Sequence, residues 1–73
     1  MTMTIQNNSK QNIQHAIDIV GGQTALAHLI GVGQGHIWNW LNRDDKLPLE
    51  RALAIERATR GKVTVAKLRP DLY

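Results

Sequence analysis

The chain has no cysteine, which excludes a disulfide scaffold and any zinc site built on thiolates. It also lacks an apolar run of about 18 residues, the length that would predict a membrane span. Residues 1–9 have neither a basic start nor an apolar block, so we expect a polar, flexible arm there and not a signal peptide. What is left is one small domain of residues 10–73, in keeping with a cytoplasmic protein.

Positive charge is in excess and lies in the second half of the chain. The net charge is +3 and the pI is about 9.8, a balance that favours a nucleic-acid partner. Residues 1–42 carry only Lys10 and Asp18, whose charges cancel, so the whole excess falls in residues 43–73. A solvated surface of mixed charge would give a similar balance, so charge alone is weak evidence for DNA binding.

The spacing of the apolar residues predicts an all-α domain of five short helices. In the first helix, Ile13, Ala16 and Ile17 fall on one face, and Gly21 and Gly22 follow as a left-handed stop. The predicted spans are residues 10–20, 23–30, 34–42, 48–60 and 65–68.

The ends of the predicted helices carry residues that cap or break helices. Ser9 and Thr64 can cap the first and last helices, and Pro48 suits the opening of the fourth because its missing N–H needs no partner there. Gly61 closes the fourth helix. The buried stripes of the second and fourth helices are expected to hold Leu26, Leu29, Ile30, Leu49, Ala52 and Ile55, with Leu53 or Ala58 in addition.

Residues 23–42 have the pattern of a helix-turn-helix motif, two short helices joined by a tight turn. Ala27 is small at the point where the second motif helix must cross the first. Gly31 can adopt the positive φ that the turn needs. The apolar positions that should face the core together are Leu26, Ile30, Val32, Ile37 and Trp40.

Two glycines at the start of the second motif helix favour close approach to DNA. Gly33 can serve as the N-cap residue, and Gly33 with Gly35 leaves that helix end slim. A recognition helix enters the major groove by its N-terminal end, where its free N–H groups can reach phosphate. The side chains that we expect to face the DNA are those of Gln34, His36, Trp38, Asn39 and Asn42, beside the Gly35 backbone.

Phosphate contacts must supply the affinity, because none of these side chains carries a fixed charge. We expect them from Gln23 and Thr24 at the start of the first motif helix and from Arg43 and Lys46 in the loop after the second, with Lys10 and Arg51 as further candidates. Glutamine and asparagine can read adenine edges. For Trp38, a DNA contact, a protein interface and a half-exposed surface aromatic all remain open.

Metal and enzyme chemistry find no support in the sequence. The three histidines, His15, His28 and His36, share no metal-binding spacing, so no metal or other cofactor is predicted. No Ser/His/Asp or paired-carboxylate arrangement stands out, and a single small core leaves little room for a pocket. We therefore predict neither an enzyme nor a small-molecule substrate.

Several segments resemble one known family. GGQTALAHLIGVGQGHIWNWL and LPLERALAIERATRGKVTVAKLRPD resemble the YdaS/Cro-like family of small prophage and phage repressors, and the resemblance covers residues 13–71. It implies a five-helix, lambda-repressor-like DNA-binding domain that represses a neighbouring divergent promoter in the manner of Cro. Members of the family have also been labelled antitoxins, because they sit beside a gene whose product is toxic.

Two positions depart from the family pattern. Gly33 stands where the family usually has serine, which removes a hydroxyl suited to capping and to phosphate contact. Trp38 stands where a small polar residue is usual. The operator sequence of another member therefore does not transfer to this chain.

Three functions compete at this point, of which a sequence-specific repressor is the leading one. The main alternative is an antitoxin that neutralises a toxin by direct protein contact, although no long disordered tail for wrapping a toxin is visible. An architectural or excisionase-type DNA binder would want minor-groove wedges or a basic wing, and neither is visible. For the repressor we predict at least two subunits on double-stranded DNA. The C-terminal residues 68–73 would pack on the first helix or on a second subunit, and the bound protein would be associated with the nucleoid.

Overall fold

The computed structural model describes residues 9–43 and 46–72, and these residues form an all-α fold. Its five α-helices and final 3₁₀ turn are Ser9–Val20 (α1), Gln23–Ile30 (α2), Gln34–Asn42 (α3), Leu49–Ala58 (α4), Val65–Leu68 (α5) and Pro70–Leu72. The predicted five-helix class is confirmed, and every helix boundary lies within two residues of its expected place. The predicted arm lies outside the described residues except for Ser9, which is the first residue of α1 and not a cap before it.

One core is shared by all five helices. Each helix contributes one large side chain that is at most 1% exposed: Ile13, Leu26, Ile37, Ile55 and Leu68. Burying a side chain of this size stabilises a protein by about 1.5–3 kcal/mol, so every helix contributes to the stability of the shared core. α1 packs against α2, α3 and α5, α2 also packs against α3 and α4, and α4 packs against α5.

The turn between α2 and α3 forms as the sequence predicts. Gly31 has φ +76°, and its N–H donates to the Ala27 carbonyl, which ends α2 in a left-handed cap. A side chain at this φ would be strained, so the turn requires glycine. The five motif positions expected in the core are buried or packed against it, Val32 being the one that is only half-buried.

Two leucines that were expected in the core are exposed. Leu49 is 45% exposed, because Leu47 two residues earlier takes the core position at 3% exposure and Pro48 then starts the helix. Leu29 is 57% exposed, because α1 and α4 cover the side of α2 that carries Leu26 and Ile30. On α4, Leu53 is also exposed, and Ala58 packs against the core as the alternative foresaw.

A buried threonine fastens the end of α4. The Thr59 side chain is 1% exposed, and its hydroxyl donates to the Ile55 carbonyl at 3.0 Å. The same oxygen accepts a hydrogen bond from the Val63 N–H at 3.1 Å. This single oxygen therefore pairs two buried backbone groups and brings the chain back from α4 toward α5. At α5, Thr64 accepts from the Lys67 N–H, which confirms the predicted cap.

Replacing Thr59 with valine, which has the same shape, tests this arrangement. The Val63 N–H would lose its acceptor while still buried, so Thr59→Val is expected to lower the free energy of unfolding by about 1–3 kcal/mol. Urea unfolding followed by circular dichroism measures the change. The matched control is Thr24→Val at an exposed site, and equal midpoints for the two variants would contradict the role given to the Thr59 hydroxyl.

Candidate nucleic-acid interface

The start of α2 and the start of α3 lie side by side. The Thr24 hydroxyl donates to Oε1 of Gln34 at 3.3 Å, and both side chains are exposed. Gln23, at the first position of α2, is half-buried. The structure thus brings together polar residues that the sequence assigned to DNA contact on two separate helices.

The N-terminal end of α3 is open to solvent. Gly33 is its N-cap in an extended conformation, with φ −75° and ψ 154°, and no side chain caps the helix. The first N–H groups of a helix have no intrahelical acceptor, and residues 33–36 are all exposed. This end of α3 can therefore offer N–H groups to an anion such as a phosphate.

Gly33 and Gly35 are glycines that the fold itself does not require. Neither has a positive φ, in contrast to Gly31. A Cβ at position 33 would lie 3.8 Å from the nearest atom, a carbon of the His36 ring, which is an ordinary contact. A Cβ at position 35 would have no neighbour within 4 Å. What the two glycines provide is a stretch of helix surface that is free of side chains.

The outer face of α3 carries the remaining predicted contacts. His36, Trp38 and Asn42 are exposed, whereas Asn39 is half-buried and has less of its amide available. The Asn42 side chain donates to the Trp38 carbonyl at 3.0 Å, so part of its hydrogen-bonding capacity is used within the helix. Trp38 is 51% exposed, which makes it the large apolar group on this face.

The opposite face of α3 anchors the helix. Trp40 is 6% exposed, as the sequence predicted for a core residue, and Ile37 is fully buried. The His36 ring leans over the Trp40 ring with the centroids 6.4 Å apart. Because a buried tryptophan fixes the rotation of α3, the other side chains of the helix are presented in one direction.

The two loop cations assigned to phosphate differ in their surroundings. Arg43 is exposed at the C-terminal end of α3. Lys46 instead forms an ion pair with Asp71 at 3.5 Å, and Arg69 binds the two carboxylate oxygens of Asp71 at 2.9 and 2.8 Å. Hydrogen bonds from Arg69 hold the pKa of Asp71 well below its usual range, so the carboxylate also keeps its charge beside Lys46 in mildly acidic solution.

Arg51 has a role that the sequence did not indicate. Its guanidinium donates to the Ile30 carbonyl at 3.1 Å and thereby gives this C-terminal carbonyl of α2, next to Gly31, a hydrogen-bond partner. The sequence offered Arg51 only as a further phosphate contact, because nothing local pairs it with a carbonyl on another helix. The Lys46–Asp71 pair was missed for the same reason, because the two residues are far apart in the sequence. The Arg69–Asp71 pair had a weak local signal, since its two residues are only two positions apart.

The described parts of the chain hold neither a metal cluster nor a membrane-spanning helix. Within residues 9–43 and 46–72, no group of three histidine, cysteine, aspartate or glutamate residues could hold a metal ion. No helix among the described residues is long and apolar enough to cross a membrane. The groove beside the α2–α3 turn is lined by Val32, His36 and Arg51, and it borders the open end of α3.

The fold and the open end of α3 define a small helix-turn-helix domain. Residues 13–73 match the family model described as "Bacterial toxin YdaS", and the chain belongs to that family. The family resemblance expected from the motifs is thereby confirmed.

A relative from Escherichia coli (strain K12), named "Putative transcriptional regulator YdaS", is 46% identical over 61 residues. The matched region is 84% of this chain and 62% of the relative, so the chain spans less than two thirds of that protein's length. No solved structure matches the chain.

Removing the Arg43 charge tests the proposed phosphate contact. Arg43→Ala is expected to weaken binding to every DNA sequence and to lower the slope of log affinity against log salt by about 0.9. Fluorescence anisotropy of a labelled duplex over a salt series measures this slope. Lys67→Ala removes the same charge from the exposed surface of α5 and should leave the slope unchanged. An unaltered slope in Arg43→Ala would remove Arg43 from the interface.

Proposed function

We propose that this chain is a sequence-specific DNA-binding transcriptional repressor that places the N-terminal half of α3 in the major groove. The observation that carries the proposal is the pair of glycines at positions 33 and 35, which neither backbone conformation nor packing requires. A helix end without side chains suits close approach of its N–H groups to the DNA backbone. The E. coli relative, whose name describes a transcriptional regulator, supports this function.

Base recognition falls to uncharged side chains in this proposal. Gln34 is oriented by Thr24 and can present its amide to a base edge, as can Asn39 with the part of its side chain that is exposed. His36 and Asn42 are exposed as well, and the His36 ring lies beside the buried Trp40. Trp38 can contact a thymine methyl group or a sugar, or it can face a second subunit.

Affinity then comes from phosphate contacts around the recognition helix. Gln23 and Thr24 at the start of α2 and the exposed Arg43 flank α3, and Lys46 contributes where it leaves Asp71 for the DNA. We further propose that two subunits bind half-sites about one helical turn apart, roughly 34–36 Å. Occupying such an operator would block a neighbouring divergent promoter, as expected of a Cro-type repressor of a prophage.

A second candidate function is contact with another protein in a toxin–antitoxin pair. The family description names a bacterial toxin, which supports a place in such a pair on the toxin's side and not the antitoxin's role that the sequence suggested. DNA binding would then be secondary or would serve only to regulate the chain's own gene.

Selective binding of DNA separates the two candidates. The test compares a labelled duplex from the region upstream of this gene with a scrambled duplex, at two salt concentrations, by fluorescence anisotropy. A repressor is expected to prefer the upstream duplex by at least about a hundredfold and to keep this preference at the higher salt. Equal binding to both duplexes that disappears with salt would contradict the repressor and leave the protein-contact function as the candidate.

Gly35→Ala tests the role of the slim helix end directly. Alanine favours a helix over glycine by about 1 kcal/mol at interior positions, so the variant should unfold at the same or a higher urea concentration. Its methyl group would hold α3 away from the DNA, and binding of the upstream duplex should weaken about tenfold, equal to about 1.4 kcal/mol.

The matched control is Gln11→Ala on the exposed surface of α1, which should change DNA affinity little. A Gly35→Ala variant that binds the upstream duplex as tightly as the unaltered chain would show that close approach at this position is not needed.

A further inference from the structure

A second groove lies on a part of the surface that the DNA proposal does not use. It has a volume of about 310 Å³ and runs between the C-terminal ends of α1 and α4 and the exposed Leu29 of α2. We call it the α1–α4 groove. Its apolar floor consists of Ile19, Val20, Leu29 and Ala58. None of the residues assigned to DNA contact lines it.

The floor of the α1–α4 groove carries four apolar side chains among polar ones. Leu29 is 57% exposed, the highest value among the large apolar side chains that the structure describes. Ile19, Val20 and Ala58 are half-buried and pack against the core from below. A single exposed leucine is common on protein surfaces, but one that adjoins three half-buried apolar neighbours offers a place for another apolar side chain.

The rim of the α1–α4 groove is positively charged. Arg60 and Lys62 line it and are exposed, and within residues 9–43 and 46–72 neither side chain has a hydrogen bond or an ion pair. Two of the described acidic side chains are engaged elsewhere: Asp18 accepts from the Gln14 amide at 3.2 Å, and Glu56 accepts from the Val65 N–H at 2.8 Å. An occupant with negative charge would therefore meet two cations without partners.

The backbone at Arg60 ends α4 in a left-handed cap. Arg60 has φ +55°, the left-handed region, and it is the non-glycine residue with a positive φ in the described parts of the chain. Asparagine adopts this conformation more readily than arginine does. The Arg60 N–H donates to the Arg57 carbonyl and the Gly61 N–H to the Glu56 carbonyl, so the positive φ belongs to the helix cap and asparagine can replace arginine there.

We propose that the α1–α4 groove is a docking surface for an acidic segment of another protein that carries leucine-sized apolar side chains. The apolar floor argues against DNA as the occupant, since a phosphate backbone has no side chain to place there. The volume is at the lower end of the range for ligand pockets, about 300–1,000 Å³, and fits one or two side chains better than a whole small molecule. This interaction goes beyond DNA binding and leaves the face of α3 unoccupied.

A designed peptide tests the chemistry of the groove. The probe is a fluorescein-labelled helical peptide of alternating Glu-Glu and Leu-Leu pairs, and its binding to the whole chain is measured by anisotropy without DNA. Two reference peptides replace every Glu with Lys or every Leu with Ala. Of the three peptides, only the Glu/Leu peptide is expected to bind, because the groove needs both an anion and an apolar anchor. Equal binding of the Lys/Leu peptide, or no binding of any peptide, would overturn the proposal.

Matched variants locate the peptide on the surface. Arg60→Asn should unfold at the same or a higher urea concentration while binding the Glu/Leu peptide about fivefold more weakly. Leu29→Ser should weaken binding by a similar factor, whereas Leu53→Ser, which removes a leucine that is 42% exposed from α4 outside the groove, should not. Equal losses of peptide affinity in the two leucine variants would overturn the assignment of the peptide to the α1–α4 groove. Self-association of the chain that Leu29→Ser abolishes would show instead that a second copy occupies the groove, which would also overturn the proposal.

The outcome is independent of the repressor function. Leu29→Ser should bind the upstream duplex as the unaltered chain does, and a chain that binds the peptide but not the duplex would count only against the DNA proposal. A Leu29→Ser variant that loses DNA affinity would contradict the separation of the two surfaces.

Discussion

The left-handed turn at Gly31 is the constraint on which the rest of this structure depends. Its positive φ ends α2 and turns the chain so that α3 can pack against both α1 and α2. Arg51 supports the turn from α4 by donating a hydrogen bond to the Ile30 carbonyl. Because the direction of α3 follows from this turn, a change at Gly31 would alter both the core and the candidate DNA interface.

The glycines on the two sides of the turn serve different purposes. Gly31 is needed by the protein's own backbone, because residues with a side chain adopt its positive φ only with strain. Gly33 and Gly35 have conformations that any residue can adopt and room for a Cβ, so the fold does not require glycine at either position. A sequence pattern rich in glycine thus combines one position that the backbone requires with two that it does not, and only the backbone angles tell them apart.

The cations also divide between internal and external roles. Arg51 and Arg69 donate to backbone carbonyls on other elements and hold the fold together. Arg43 and Arg60 are exposed, the first at the end of α3 and the second at the rim of the α1–α4 groove. The net charge alone gives no view of this division, because a guanidinium that bonds a carbonyl still counts as one positive charge.

The sequence by itself determined the helix spans, the turn at Gly31 and the burial of Trp40. These follow from local backbone preferences and from a repeat of 3.6 residues, which act over a few neighbours. Tertiary structure decided that Leu47 and not Leu49 enters the core, and it joined Thr24 to Gln34. It did so because contacts between distant segments depend on how whole helices pack, and no pattern within one segment records that packing.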